Sequence, residues 1–161
     1  MLTLLSMEYS RIIVALDGMD DKSARALVER LGEGVRHYKI GLELFTRHGP
    51  KLVDQIRLQG KEVFLDLKFH DIPNTVAGAV SAVANLGVWM VNVHASGGSR
   101  MMVAAREAIE AAAHKPLLIA VTVLTSMTEE DLREVGCEEP VLARVLRLAG
   151  LAARSGLDGV V

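Results

Sequence analysis

Lys61-Glu62-Val63-Phe64-Leu65-Asp66-Leu67-Lys68-Phe69-His70-Asp71 runs from an apolar segment into two carboxylates and an ammonium. Residues two apart on a strand share a face, so Asp66 and Lys68 point one way while Val63, Leu65 and Leu67 point the other. Asp71 falls just past the strand end, where the loop can bend it back. A lysine between two carboxylates is held protonated and holds them ionised, which makes a fixed charge array rather than a titrating base. An Asp-x-Lys pair alone is more often a solvated surface ion pair. Here the run up to Asp66 has the pattern of a buried parallel strand. Asp71-Ile72-Pro73-Asn74-Thr75 follows as a loop entering a helix, with Pro73 in its first turn. Charges at the carboxyl end of a buried strand point to function.

Working outward, strand-like runs alternate with helical periodicity. The strands are read at Arg11–Asp17, Arg36–Ile40, Lys61–Asp66, Val88–His94, Leu117–Leu124 and from Gly156 to Val161. Between them lie a helix capped by Asp20 and ending at Gly32, one carrying Leu52, Val53 and Ile56, one carrying Val76, Val80 and Val83, and one through Met102, Ala105 and Ile109. Helical stretches around Leu132 and from Val141 to Leu151 complete the pattern. Such repeats build a parallel α/β sheet, either open and doubly wound or closed as a barrel. Polar residues decide between these. Asp17, Lys39, Asp66 with Lys68, His94, and Thr125 with Ser126 each fall at the carboxyl end of a successive strand. A barrel gathers nearly all its strand ends around one pocket, whereas an open sheet uses mainly its switch point. Asp17-Gly18-Met19-Asp20 after the first strand also lacks the Gly-x-Gly-x-x-Gly turn of dinucleotide folds. The expected architecture is a single partial barrel domain over 1–161, a TIM (β/α)8 barrel cut after the start of its sixth strand. A whole barrel takes about 250 residues.

Composition narrows the function classes. The 161 residues are 50% hydrophobic and 24% charged with net charge −2, and no basic patch interleaved with aromatics suggests nucleic acid. Met1–Ser6 has no basic flank and is too short for a signal core, and no apolar run reaches the roughly 18 residues of a membrane span. A cytoplasmic protein is expected. Cys137, the sole cysteine, sits among Glu134, Glu138 and Glu139, which disfavours a thiolate. His37, His48, His70, His94 and His114 show no paired metal spacing, so no metal site is expected. His94 reads as structural, Ser96–Ser99 as a helix-entry turn, and Trp89, Met101 and Met102 as packing residues. Lys39 would be costly to bury unpaired, and Asp17 and Asp66 are its available partners.

The block Asp66-Leu67-Lys68-Phe69-His70-Asp71-Ile72-Pro73-Asn74-Thr75 closely resembles the signature of the orotidine 5′-phosphate decarboxylase family of bacterial type. Val14–Asp17, Tyr38–Gly41, Val91–Gly98 and Thr122–Met127 resemble further family blocks in the same order. The resemblance implies a cofactor-free decarboxylase that converts orotidine 5′-phosphate to UMP in pyrimidine biosynthesis, as a homodimer with shared active sites. It implies that Lys68 protonates C6, with Asp66 and Asp71 flanking it, and that Asp71 and Thr75 act from the neighbouring subunit. Asp17 and Lys39 would bind ribose hydroxyls, Thr125 and Ser126 the pyrimidine edge, and the Asp66–Thr75 block as a whole would lie at the substrate. The family's phosphate-gripping arginine lies in later loops, so this length of chain is expected to be inactive alone and to fold only marginally. Two alternatives accompany this reading: a magnesium-dependent sugar-phosphate decarboxylase or aldolase of the same superfamily, with Glu43 as the extra metal carboxylate, and a non-catalytic fragment. Lys39 and the Phe69–Thr75 block fit the orotidine enzyme better.

Overall fold

The computed structural model describes residues 12–161, so Met1–Ser6 and Arg11, the expected start of the first strand, lie outside the described residues. Six strands form one sheet in the order β1-β2-β3-β4-β5-β6, every neighbouring pair parallel. They are β1 (Ile13–Ala15), β2 (His37–Gly41), β3 (Glu62–Phe69), β4 (Met90–His94), β5 (Leu117–Val121) and β6 (Gly159–Val160). Sequential order with no switch point is the arrangement of a curling barrel wall rather than of a doubly wound sheet.

The helices follow in turn. Asp20 caps α1 (Asp21–Leu31) by accepting from the Ser23 backbone N–H at 2.7 Å, and the chain leaves the helix at Gly32. The helix expected at Leu52, Val53 and Ile56 is α3 (Pro50–Arg57), and a further helix, α2 (Leu42–His48), precedes it; Gly49 at φ 64° separates the two and Pro50 starts α3 as a first-turn residue. Pro73 likewise opens α4 (Pro73–Ala84). After a 3-10 turn at Ala95–Gly97 comes α5 (Ser99–Ala111), as the Ser96–Ser99 reading expected. Thr128 and Asp131 form a reciprocal capping box on α6 (Glu129–Glu134), and α7 spans Val141–Arg154. Among the described residues no helix is long and apolar enough to cross a membrane.

Strand parity separates two interiors. Val14, Leu16, Tyr38, Ile40, Val63, Leu65, Val91, Val93, Leu118 and Ala120 pack outward against the helices. Each large side chain so buried contributes about 1.5–3 kcal/mol. Residues of the opposite parity line the concave face. At its amino end Phe64, Met90 and Ile119 form a small cluster with Trp89. One step toward the carboxyl ends the same face changes to Lys39, Asp66 and Asn92. The apolar floor and the charged mouth therefore come from one alternation.

Strand β3 is the irregular one. It runs past the buried run Lys61–Asp66 to Phe69, shortly before Asp71, which was expected just beyond the strand end. It pairs with β4 through Leu65↔Val91 and then Phe69↔Val93, so that Asp66, Leu67 and Lys68 lie opposite Asn92 alone. Lys68 has φ 52°, the single positive value outside glycine among the described residues. In contrast, β5 stops at Val121, three residues before the expected end at Leu124.

Candidate active site

The charged mouth is built from three strand ends. Asp66, 7% exposed, accepts from Lys68 Nζ at 2.7 Å and from Asn92 Nδ2 at 2.6 Å, both on Oδ1, while Lys39 Nζ stands 3.2 Å from its Oδ2. Lys39 also donates to Asp17 Oδ2 at 2.5 Å. Two ammoniums and two carboxylates thus alternate as Asp17, Lys39, Asp66, Lys68. Burial alone would raise the Asp66 pKa, but hydrogen bonds from Lys68, Asn92 and Lys39 together with the Lys68 charge outweigh it and leave the carboxyl below its ordinary range. Burial likewise opposes the charged form of Lys39, yet its bonds to Asp17 and Asp66 hold its pKa above the usual lysine value. Both groups are fixed in their ionised forms, so the array is preorganised.

Gly41 makes this approach possible. It pairs with Asp66 in the ladder, and a Cβ at this position would fall on Asp17 Oδ1. Glycine leaves the space in which the Asp17 carboxylate meets Lys39.

The structure brings Asp17, Lys39, Asp66 and Lys68 together. It does not bring Asp71 to them. Asp71 is exposed, and its Oδ1 accepts from the Ile72 backbone N–H at 2.6 Å. Ile72, Asn74 and Thr75 are also exposed, Pro73 opens α4, and Leu67 and Phe69 pack against the main core. Thr125 and Ser126 occupy an exposed turn and make no side-chain hydrogen bond among the described residues. A cleft of about 430 Å³ is bordered by His70, His94, Ser96 and Thr122 and by the segments around α6 and α7, and none of the four array residues lines it. Within it the His70 and His94 rings lie 5.5 Å apart. Burial, then the positive potential of His70 and Lys68, lowers the His94 pKa against a smaller opposing pull from Asp66, which keeps the imidazole neutral. Glu43, the metal carboxylate of the alternative reading, is exposed at the start of α2 and pairs with Arg47 at 2.7 Å.

Sequence reasoning missed Asn92. The signal was present: in Met90-Val91-Asn92-Val93-His94 an amide takes the inward parity, one step below His94, where a buried strand otherwise carries only apolar residues.

A parallel, sequentially wound sheet with its charged groups gathered at the strands' carboxyl ends defines the chain as a wall of a (β/α) barrel of the enzyme type. The family model described as orotidine 5′-phosphate decarboxylase / HUMPS family matches residues 10–161. The chain is 57% identical to the orotidine 5′-phosphate decarboxylase of Teredinibacter turnerae over 157 residues, covering 98% of this chain and 68% of that protein. It is 58% identical to that of Saccharophagus degradans over 151 residues, covering 94% and 63%. A crystal structure of orotidine 5′-phosphate decarboxylase from Lactobacillus acidophilus superposes with a TM-score of 0.86 at 42% identity, covering 92% of this chain and 69% of that one. The chain belongs to the orotidine 5′-phosphate decarboxylase / HUMPS family, and spans about two thirds of the length of these relatives.

Proposed function

We propose that this chain carries the charge array of a decarboxylase acting on orotidine 5′-phosphate to give UMP, in the cytoplasm and as part of pyrimidine biosynthesis. One observation carries the reading: Lys68 and Lys39 are both anchored on Asp66 at the mouth of the barrel wall. Breaking the bond between C6 and the carboxylate carbon releases CO2 and leaves the electron pair on C6, in the ring plane, with no adjacent group to take it. An ammonium fixed beforehand compensates that charge without reorganising, and such preorganised electrostatics is commonly the largest part of catalysis. The Lys68 ammonium then gives its proton to C6, and the resulting amine regains one from water. Asp17 and Lys39 are placed to receive ribose hydroxyls. Binding energy from the remote phosphate helps to close the site.

The reading includes a homodimer. Asp71 and Thr75 face solvent beside Ile72, which is 67% exposed, a disposition suited to reaching a second subunit's array rather than their own. The metal-dependent alternative fits less well, since Glu43 is engaged by Arg47 instead of converging with Asp66.

The test follows loss of orotidine 5′-phosphate absorbance with two polypeptides: the chain as it stands, and the chain joined after Val161 to the C-terminal third of the Teredinibacter turnerae relative. Turnover by the joined form that EDTA leaves intact and Lys68→Ala abolishes is the expected result. No turnover in either form, or full activity with alanine at 68, would refute the proposal.

A further inference from the structure

We propose that Asn92 is the positioning residue for Lys68, fixing the lysine's backbone and the anchor of its ammonium with a single carboxamide. The kinetic consequence rests on the decarboxylase reading above; the structural one does not. Where β3 carries Asp66, Leu67 and Lys68 opposite Asn92 alone, the Lys68 N–H has lost its ladder partner. Asn92 Oδ1 takes that proton at 2.8 Å. Asn92 Nδ2 donates at 2.6 Å to Asp66 Oδ1, the same oxygen that holds the Lys68 ammonium at 2.7 Å. The carboxamide therefore has one workable orientation, because its reverse would set a donor against the Lys68 N–H and an acceptor against a carboxylate. Asn92 is 1% exposed, so water cannot substitute for it.

A bland role exists: an asparagine merely filling a bulge. It would need only the bond to the Lys68 N–H. The second bond, onto the oxygen shared with the ammonium, is what a positioning role requires, and Lys68 at φ 52° is what it holds in place.

The two bonds can be separated. Asn92→Ala removes both. Asn92→Asp keeps the acceptor but sets a carboxyl against Asp66 Oδ1, where it imitates the amide only while it carries a proton. The other charged or titratable groups facing this point are Lys68 on β3, Lys39 on β2 with Asp17 behind it, and His94 on β4 with His70 beside it. Strand β5 brings Ile119 opposite Asn92. All of these are unchanged in the variants, so a new pH limb belongs to the carboxyl pair that Asn92→Asp creates with Asp66.

In whichever polypeptide turns over, Asn92→Ala is expected to lower kcat about 10- to 100-fold with KM changed less than about twofold. Asn92→Asp is expected to show a descending limb of kcat with rising pH that the parent lacks. A kcat for Asn92→Ala within about twofold of the parent, or an Asn92→Asp loss equal at every pH, overturns the proposal. If neither polypeptide turns over, the decarboxylase reading has failed, and the structural claim is decided separately by carbon-13 NMR titration of the Asp66 carboxyl in the chain itself. Loss of the Asn92 donor should move that midpoint upward in Asn92→Ala. A midpoint that stays in place refutes the assignment, and Asn92→Val, which has no donor and suits a strand, supplies the same reading if the alanine variant does not fold.

Discussion

Replacing Asp66 by asparagine keeps the shape of the side chain and removes the charge on which the array turns. In the native site Oδ1 receives Lys68 and Asn92 while Oδ2 faces Lys39 at 3.2 Å. An amide has one oxygen. Set where Oδ1 was, it keeps two donors but turns its NH2 toward the Lys39 ammonium, donor against donor; the flipped amide is worse, since it faces two. Breaking a buried pair by removing one partner costs about 3–5 kcal/mol. This site sits below that range because Lys39 keeps Asp17 and the Lys68 side chain is 35% exposed, so that water takes up part of its charge. The expected loss is about 2–3 kcal/mol, a drop of roughly 4–12 °C in Tm for a chain of this size. Urea unfolding followed by far-UV circular dichroism, on parent and Asp66→Asn in parallel, measures it. The pH dependence is a second check. Because the folded-state pKa of Asp66 is depressed, its contribution is present above the unfolded value of 3.8 and is lost as pH falls through the lower folded value. The gap between parent and variant must therefore narrow on acidification. A gap under about 0.5 kcal/mol at neutral pH, within the range of an ordinary surface substitution, or one that widens in acid, would show that Asp66 does not anchor the array.

Gly41→Ala should destabilise the chain by about 1–3 kcal/mol through overpacking against Asp17, and by clearly less in an Asp17→Ala background. Additive losses in that double-mutant cycle would contradict the close approach. On acidification, stability should begin to fall below the unfolded histidine value of 6.5, because burial holds both His94 and His37 toward the neutral form while the unfolded chain binds protons; His94→Asn should shrink that first step, and adding His37→Asn should remove the rest. At the alkaline end the Lys39 contribution, present below 10.5, should be lost as pH rises through its higher folded value, and Lys39→Met should lack this limb. The outer sides of β1 and β6 are free edges among the described residues, and Ile12, Ile13 and Val160 beside them are exposed. The chain by itself should therefore elute as associated species in size-exclusion chromatography with light scattering, and a cooperatively melting monomer would be the contrary result.

Most of the wall was legible in the chain because each strand announces itself twice, by an apolar outward parity and by a polar residue at its carboxyl end. Asp20 and Gly32 bounded the first helix by capping chemistry alone. The helix at Leu52, Val53 and Ile56 was legible from its apolar spacing, whereas the seven-residue α2 before it, with Leu44 its one buried residue, offers too little periodicity to be read. The end of β5 was misjudged because parity predicts which face a residue takes, not where ladder bonds stop. Lys39 with Asp17 and Asp66 could be inferred because a buried ammonium demands partners. Asn92 could not be reached by that argument, as an amide in a strand carries no charge that must be balanced.

The same distinction explains why β3 departs from regularity where it does. Simple alternation already puts Asp66 and Lys68 on one side, but in a flat ladder the backbone N–H of Lys68 would be committed along the strand. Two extra residues opposite Asn92 release that N–H, turn Lys68 into the left-handed region, and let its ammonium fold back onto Asp66 at 2.7 Å. A non-glycine residue in that region costs on the order of 1–3 kcal/mol and persists only where surrounding groups over-determine it. Here the determinants are identifiable: the Asn92 carboxamide on one side, and on the other the Phe69↔Val93 pair that restores the ladder immediately afterwards. Local rules are broken at the strand position whose ammonium closes the charge array, while the neighbouring strands β2 and β4 keep a regular ladder with their other neighbours. The irregularity is thus tied to the charge array and not to weak strand propensity, since Val63, Phe64 and Leu65 lead into it as a fully buried strand run.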